Sequence, residues 1–313
     1  MYLGVDLGGT NIAVGVVNDA GDIIHKDSVP TGADRDYTEI FKDVAQLCIK
    51  VVKDAGLSMD DIKSIGVGSP GTCDSENGVV VYANNLHFHN TPVRKEIQKY
   101  IDKPVYIEND ANVAALAEYY KIGKPMKCFV AITLGTGVGG GVIIDGKIYS
   151  GPNGAAGELG HTVIVADGEQ CSCGRKGCWE AYASATALIR QTRREIANNT
   201  KSAMFDMTDG CLDKVSGKTA FVAAKQGDES GLKVVNYYIK HVAVGIANMI
   251  NIFQPELLVI GGGICKEGDY LLDPIKKFCL DETYGLNDIS RTEIAIAQLG
   301  NDAGIIGAAF LGK

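Results

Sequence analysis

Hydrophobic and polar positions follow the same order in two separate parts of the chain. Tyr2–Val17, YLGVDLGGTNIAVGVV, and Cys128–Ile144, CFVAITLGTGVGGGVII, each contain an apolar run, a turn rich in glycine and threonine, and a second apolar run. Short apolar runs bounded by turn residues are typical of buried strands. A third strand is predicted after each pair, near Ile23 and over Lys147–Tyr149. The sequence therefore predicts a duplicated unit that opens with an antiparallel hairpin.

Outside these units, apolar residues also recur at helical spacing. The clearest helix is predicted over Tyr37–Ala55, and its buried stripe comprises Ile40, Phe41, Val44, Cys48, Val51 and Val52. Asp110 is expected to cap a helix that runs to about Tyr120. The other predicted elements are strands at Ile65–Gly68, at Val105–Ile107 and ending at Gly261, and helices over Ser230–Phe253 and from Asp302. Strands that alternate with helices indicate an α/β protein.

The duplicated hairpin unit predicts two related domains that face a cleft. The boundary is placed near Gly123–Pro125, where helical periodicity stops in a short segment of Gly, Pro and Lys. The smaller α/β domain is predicted to comprise residues 1–122 together with a C-terminal helix at about 300–313. The larger α/β domain comprises residues 123–299 and carries a cysteine-rich loop.

Composition and charge argue against several classes of protein. Of the 313 residues, 46% are hydrophobic and 22% are charged, as in an ordinary soluble globular protein. A net charge of -8 without a long basic run argues against nucleic acid as a partner, because phosphate backbones bind clustered Lys and Arg. The N-terminus lacks the features of a signal peptide, and Val130–Ile144 is too rich in glycine to span a membrane. Nine cysteines, most of them scattered singly, favour a reducing cytoplasm.

The glycine-rich turns are candidate phosphate sites. The second turn fits G-x-G-x-x-G at Gly135, Gly137 and Gly140, but a strand follows it instead of the helix that a dinucleotide-binding turn requires. It is therefore predicted to be a hairpin whose backbone N–H groups can approach a ligand, with hydroxyl donors from Thr133 and Thr136. Each turn alone could be an ordinary tight hairpin. Two of them in a duplicated architecture favour a phosphate site between the domains.

Other residues are expected to complete this nucleotide site. Asp6 ends the first strand, where a carboxylate can orient a magnesium ion through water. An adenosine can lie flat on the glycine backbone that ends the strand PELLVIGGG. The further nucleotide-binding residues are expected to be Gly8, Gly9, Thr10, Asn11, Gly261, Gly262 and Gly263.

A histidine and three cysteines occur at metal-ligand spacing. His161 is followed by nine residues and then by Cys171, Cys173 and Cys178, with glycines that allow the chain to bend. Three sulfurs and one imidazole form a closed tetrahedral set, which predicts a structural zinc ion. The alternative is a surface loop of reduced cysteines without a metal. A disulfide is disfavoured, because Cys171 and Cys173 are too close to pair and three cysteines leave one over.

Three features together resemble the ROK family of sugar kinases: the pair of glycine turns, the END triplet at Glu108–Asp110, and the segment GELGH…CSCGRKGCWE. The resemblance extends from Tyr2 to the final helix and is greatest to the bacterial glucokinases of that family. The DLGGT turn is widespread, whereas the pattern of one histidine and three cysteines is specific. The resemblance implies the two-domain, actin-like (ribonuclease H-like) fold of ATPases and sugar kinases, with an active-site cleft between the domains.

The resemblance also implies a reaction and the residues that perform it. ATP with Mg is expected to phosphorylate the 6-hydroxyl of a hexose, above all glucose. Asp110 is then the base that takes the hydroxyl proton, and Asn109 binds a neighbouring hydroxyl. A zinc ion would also fix the glutamates that flank its ligands. The other positions that match the family's sugar-binding residues are Gly71, Glu158, His161 and Glu180.

Other interpretations were weighed on the same residues. A kinase for N-acetylglucosamine, N-acetylmannosamine or mannose shares the carboxylate pattern. A sugar-responsive regulator needs a DNA-binding domain ahead of the first turn, and Asp6 leaves no room for one. A non-catalytic zinc module does not explain Asp110 or the paired hairpins. Asn11, where many relatives have Lys, and Phe88, where they often have Trp, depart from the family pattern. The expected partners are a hexose, ATP and further copies of the chain, as a dimer or tetramer.

Overall fold

The structure, a computed structural model, describes residues 1–285 and 291–313. The strands are β1 (Tyr2–Leu7), β2 (Asn11–Val17), β3 (Ile23–Pro30), β4 (Ile65–Ser69), β5 (Thr72–Asp74), β6 (Val79–Ala83), β7 (Phe88–Thr91), β8 (Val105–Asn109), β9 (Cys128–Leu134), β10 (Val138–Ile144), β11 (Lys147–Ile148), β12 (Leu257–Gly261) and β13 (Glu293–Ile296). The helices are α1 (Tyr37–Asp54), α2 (Val93–Gln98), α3 (Asp110–Ile122), α4 (Glu180–Ala183), α5 (Ala185–Asn198), α6 (Ala203–Met207), α7 (Thr219–Lys225), α8 (Glu229–Phe253), α9 (Asp269–Glu282) and α10 (Ala303–Phe310). Within these two ranges, no helix combines the length and the apolar character that a membrane span needs.

The first sheet has the strand order β3-β2-β1-β4-β8. Strand β1 pairs antiparallel with β2 and parallel with β4, and β4 pairs parallel with β8. Leu3, Val5 and Leu7 lie on one face of β1 and share a core with helix α1, because side chains two residues apart lie on the same face of a strand. The predicted stripe of α1 is confirmed, since all six residues of the stripe are buried.

The second sheet has the strand order β11-β10-β9-β12-β13. Strands β9 and β10 are neighbours joined by the turn Gly135–Gly137, so the predicted hairpin is confirmed and a strand-turn-helix dinucleotide site is excluded there. Strand β12 pairs parallel with β13. A third sheet, β5-β6-β7, is not predictable from the sequence, because its strands of three to five residues carry too little periodicity.

The chain divides into two compact units. Unit 1 contains Met1–Ala131, Gly141–Gly157 and Gln298–Lys313, and unit 2 contains Ile132–Gly140 and Glu158–Ala297. Unit 1 therefore extends beyond the predicted boundary near Gly123 and includes the second half of β10. The physical reason is that Gly141 lies directly against Ala115 of α3, where a Cβ on Gly141 would come within 2.4 Å of the Ala115 Cβ.

Helix α10 packs within unit 1 through positions that have no side chain. A Cβ on Gly4 of β1 would lie 1.8 Å from the carbonyl oxygen of Ile305, and one on Gly66 of β4 would lie 1.7 Å from that of Ala308. A Cβ on Gly307 would in turn lie 1.7 Å from a carbonyl oxygen of α3. Because a side chain at any of these positions would overlap backbone, the helix can lie this close only where glycine occurs.

This contact predicts a large cost for one methyl group. Gly66→Ala should lower the free energy of unfolding by about 3 kcal/mol or more, the upper end for overpacking, because the colliding atom is backbone that cannot rotate away. The matched control is Gly263→Ala, since no atom lies within 4 Å of a Cβ built there. Urea unfolding followed by circular dichroism measures both variants. Equal stability of the two variants would show that α10 can shift without cost.

Candidate functional site

The turn from β8 to α3 carries the predicted base. Asn109, not Asp110, is the N-cap of α3, and its side-chain oxygen accepts from the N–H groups of Ala111 at 2.9 Å and Asn112 at 3.2 Å. The expectation that Asp110 caps this helix is wrong, because Asn109 has the extended backbone of an N-cap and Asp110 is the first helical residue. The Asn109 amide nitrogen donates to the Gly71 carbonyl oxygen at 3.0 Å. The structure thus brings Gly71, Asn109 and Asp110 together.

Glu108, which the sequence interpretation assigns no role, fixes the geometry of this turn. Its buried carboxylate accepts from the Ser75 hydroxyl at 3.0 Å, from the Asn109 N–H at 2.9 Å and from the Asn112 side-chain amide at 3.1 Å. A buried carboxylate needs such donors to offset the loss of water. Its position directly before the Asn-Asp pair was the available sequence signal.

Two carboxylates of unit 1 influence each other electrostatically. Burial, and after it the negative charge of Asp110, raises the pKa of Asp6 at the end of β1 to about 6. The Asp110 side chain reaches solvent, yet the protein atoms around it withdraw enough water to raise its pKa as well. Gly304 of α10 makes room for Asp6, since a Cβ there would lie 2.5 Å from the Asp6 carboxylate.

The first glycine turn connects β1 to β2. The Gly8 N–H donates to the Asn11 carbonyl oxygen at 3.0 Å and closes the turn. Among the described residues, none accepts a hydrogen bond from the N–H groups of Gly9 or Thr10. These two groups are therefore donors that an anion can use.

The second glycine turn, between β9 and β10, has the same character. The Gly135 N–H donates to the Gly137 carbonyl oxygen at 3.0 Å. In the described parts of the chain, the N–H groups of Thr136 and Gly137 have no protein acceptor. These two backbone N–H groups are therefore also donors that an anion can use.

The glycine triplet at the end of β12 lies beside the second turn. Gly262 has a φ of 101°, and a Cβ there would lie 2.2 Å from the Leu134 carbonyl oxygen. Gly261 lies next to half-buried Thr133 of β9, whose methyl carbon would be 3.8 Å from a Cβ on Gly261. Only glycine therefore fits at Gly262, because its backbone conformation and its neighbour both exclude a side chain.

The predicted histidine and three cysteines converge in unit 2. The candidate ligand atoms of His161, Cys171, Cys173 and Cys178 all lie within 4.8 Å of one another. The Cys173 and Cys178 sulfurs are 3.7 Å apart, and His161 Nδ1 is 3.7 Å from the Cys171 sulfur. A tetrahedral ion with Zn–S bonds of about 2.3 Å separates its sulfurs by about 3.8 Å. The set therefore fits a tetrahedral metal ion.

The two predicted sugar-binding glutamates flank this cluster. Glu158 immediately precedes the short 3₁₀ turn Leu159–His161, so its backbone is tied to the imidazole ligand. The Glu180 carboxylate accepts from the Ser172 hydroxyl at 3.1 Å, and from the Val138 N–H, directly after the second glycine turn, at 3.0 Å. The Glu180 carboxylate therefore links the cysteine loop to the glycine turn.

Trp179 anchors the backbone that carries Glu180. Its side chain is fully buried, and its indole N–H donates to the His241 carbonyl oxygen at 2.9 Å. Gly245 of α8 makes room for the indole, because a Cβ there would lie 1.9 Å from the ring. The sequence interpretation missed this anchor, although a single tryptophan beside a cysteine ligand was a visible signal.

The chain is similar to known proteins along essentially its whole length. A sequence profile of the ROK family matches residues 2–313. The chain is 39% identical over 317 aligned residues to the glucokinase of Halalkalibacterium halodurans, covering 100% of this chain and 94% of that protein. The ROK family glucokinase of Streptomyces griseus, solved with glucose and AMPPNP, is 34% identical with a TM-score of 0.83, covering 99% and 98% of the two chains. The ROK hexokinase of Thermus thermophilus is 31% identical with a TM-score of 0.78, covering 98% and 96%.

These matches span essentially the whole chain. The fold is the two-domain actin-like fold of the sugar kinases. The chain belongs to the ROK family.

Proposed function

We propose that the chain is an ATP-dependent hexose kinase that phosphorylates glucose at its 6-hydroxyl. The observation that carries the proposal is the arrangement of Asn109 and Asp110. The Gly71 carbonyl oxygen holds the side-chain amide of Asn109, and the next residue, Asp110, is a carboxylate with a raised pKa. The glucokinase relatives, one of them solved with glucose and AMPPNP, support the choice of substrates.

Asp110 is assigned the role of base. It accepts the proton of the sugar hydroxyl as the phosphoryl group reaches the oxygen. Its raised pKa makes the Asp110 carboxylate a stronger proton acceptor than the carboxylate of an ordinary aspartate. Asn109 uses one amide N–H on Gly71 and retains one for a neighbouring sugar hydroxyl.

The two glycine turns are assigned to the phosphates of ATP. Their accessible donors are the N–H groups of Gly9, Thr10, Thr136 and Gly137. A bound Mg ion would supply charge neutralisation, and Asp6 is the carboxylate that would hold it through water. The adenosine is assigned to the glycine triplet Gly261–Gly263, where close approach of backbone leaves a flat surface.

The cysteine cluster is assigned to a structural zinc ion. The four candidate ligands would fill a tetrahedron around the ion and leave no open position for chemistry. His161 faces the cluster with Nδ1, which leaves Nε2 for a sugar hydroxyl, so one imidazole can serve both roles. The ion would then hold Glu158 and Glu180 at fixed positions beside the sugar.

Location and assembly extend the proposal. We assign the chain to the cytoplasm, because no cysteine in the described residues forms a disulfide. A homo-oligomer is also expected. Mannose, N-acetylglucosamine and N-acetylmannosamine are the competing substrates, since they can use the same carboxylates.

The decisive variant is Asp110→Asn. It keeps the size of the side chain but cannot take a proton, so kcat should fall by about 10²–10⁴-fold, the usual effect of removing a general base. Glucose and ATP should still bind, because Asn109 and the glycine turns are unchanged. Glucose 6-phosphate formation in a coupled assay, with the competing sugars in parallel, measures turnover, and calorimetry measures binding.

Asp102→Asn is the matched control, because Asp102 is an exposed aspartate of the same unit. Near-normal turnover by Asp110→Asn with intact binding would remove the base role from Asp110. Turnover of another sugar in preference to glucose would change the substrate and leave the mechanism in place.

The metal assignment has its own test. Purified protein should contain about one zinc ion per chain, and Cys173→Ser should lose zinc and glucose affinity together, because metal binding and loop order are coupled. Cys211→Ser is the control, since Cys211 is an exposed cysteine outside the cluster. Atomic absorption and glucose calorimetry report the two properties. Complete loss of metal with unchanged glucose affinity contradicts the anchoring role.

A further inference from the structure

A threonine that is not part of the turn donates a hydrogen bond to each glycine turn. In the first turn, the buried Thr31, which follows β3, donates its hydroxyl to the Gly8 carbonyl oxygen at 2.6 Å. Its backbone N–H donates to the Thr10 carbonyl oxygen at 2.8 Å. The N–H bond continues the β2–β3 ladder by one step, since Asn11 pairs with Pro30. The hydrogen bond from the Thr31 hydroxyl is not part of the β2–β3 pairing.

The second turn is held in the same way by a different element. Thr186, the second residue of α5, donates its hydroxyl to the Thr136 carbonyl oxygen at 2.8 Å. The N–H of Ala185, the first residue of that helix, donates to the Gly135 carbonyl oxygen at 2.8 Å. The residue after a strand in unit 1 and the start of a helix in unit 2 thus supply the same pair of donors, one hydroxyl and one main-chain N–H.

We infer that Thr31 and Thr186 are positioning residues for phosphate binding, and we call them the carbonyl anchors. This inference rests on the proposed function, because it takes the two turns to be the phosphate sites. Each anchor donates a hydrogen bond to a turn carbonyl and so keeps that carbonyl oxygen directed toward the protein. The N–H groups of Gly9, Thr10, Thr136 and Gly137 are left without protein acceptors among the described residues.

The physical reason is the direction of the peptide dipole. A carbonyl oxygen that faces a phosphate repels it, whereas an N–H group attracts it, so a phosphate turn must keep its carbonyls turned away. Glycine-rich turns have many accessible backbone conformations, and binding has to overcome that freedom. A hydroxyl that fixes the carbonyl before the ligand arrives lowers this cost, as preorganised donors do.

A matched pair of variants at each anchor separates this role from simple packing. Thr31→Val and Thr186→Val keep the branched shape and remove the hydroxyl, whereas Thr31→Ser and Thr186→Ser keep the hydroxyl and remove a methyl group. Calorimetry with Mg-ADP, adenosine and glucose reads the phosphate, nucleoside and sugar sites separately. Steady-state kinetics adds the KM for ATP and kcat.

The valine variants should bind Mg-ADP about 3- to 10-fold more weakly, the effect of losing one hydrogen bond, with adenosine and glucose affinity unchanged. The serine variants should bind Mg-ADP like wild type. The KM for ATP should rise in the valine variants by the factor seen for Mg-ADP. If Thr31→Val does not fold, the exposed Thr186 pair carries the test.

Three results would overturn the inference: Mg-ADP affinity in folded valine variants equal to wild type, a parallel loss of adenosine and glucose affinity, or no recovery with serine. Failure of the proposed function looks different. Wild type would then bind Mg-ADP without transferring phosphate to any hexose, while the contrast between valine and serine persisted.

Discussion

The close contact of helix α10 with glycine positions is the constraint on which unit 1 depends. Gly4 and Gly66 let carbonyls of α10 touch β1 and β4, and Gly307 lets α10 touch α3. Strand β1 carries Asp6, the carboxylate predicted to orient a magnesium ion through water, and helix α3 begins at the predicted base Asp110. The separation of these two carboxylates is therefore set by backbone in contact with backbone. Such contacts cannot relax by side-chain rotation, so they position the two charges rigidly.

In unit 2, the corresponding role falls to the cysteine cluster and its neighbour Glu180. The cluster organises the loop that contains Ser172, and the Glu180 carboxylate joins Ser172 to the N–H of Val138 after the second glycine turn. Trp179, buried against the helix α8, fixes the same glutamate from the other side. One carboxylate therefore connects the cysteine loop to the residue that follows the second glycine turn.

Much of the fold and of the candidate site could be predicted, because it depends on the periodicity of apolar residues or on the spacing of motif residues. The α1 stripe, the two hairpins and the convergence of His161 with its cysteines follow from patterns of that kind. The N-cap could not be predicted, because Asn109 and Asp110 are equally good capping residues and only the backbone decides between them. Single threonines such as Thr31 and Thr186 carry no pattern either. Their partners are distant in sequence and are brought to them by the fold.

The central claim is that Asp110 accepts the proton when ATP phosphorylates glucose. The dependence of kcat/KM on pH tests it most directly, with circular dichroism confirming the fold at each pH. Because burial raises the pKa of Asp110 above 3.8, activity should fall as the pH is lowered, with an apparent pKa above that of an ordinary aspartate. A rate that stays constant down to the pKa of an ordinary aspartate in a folded protein would contradict the account.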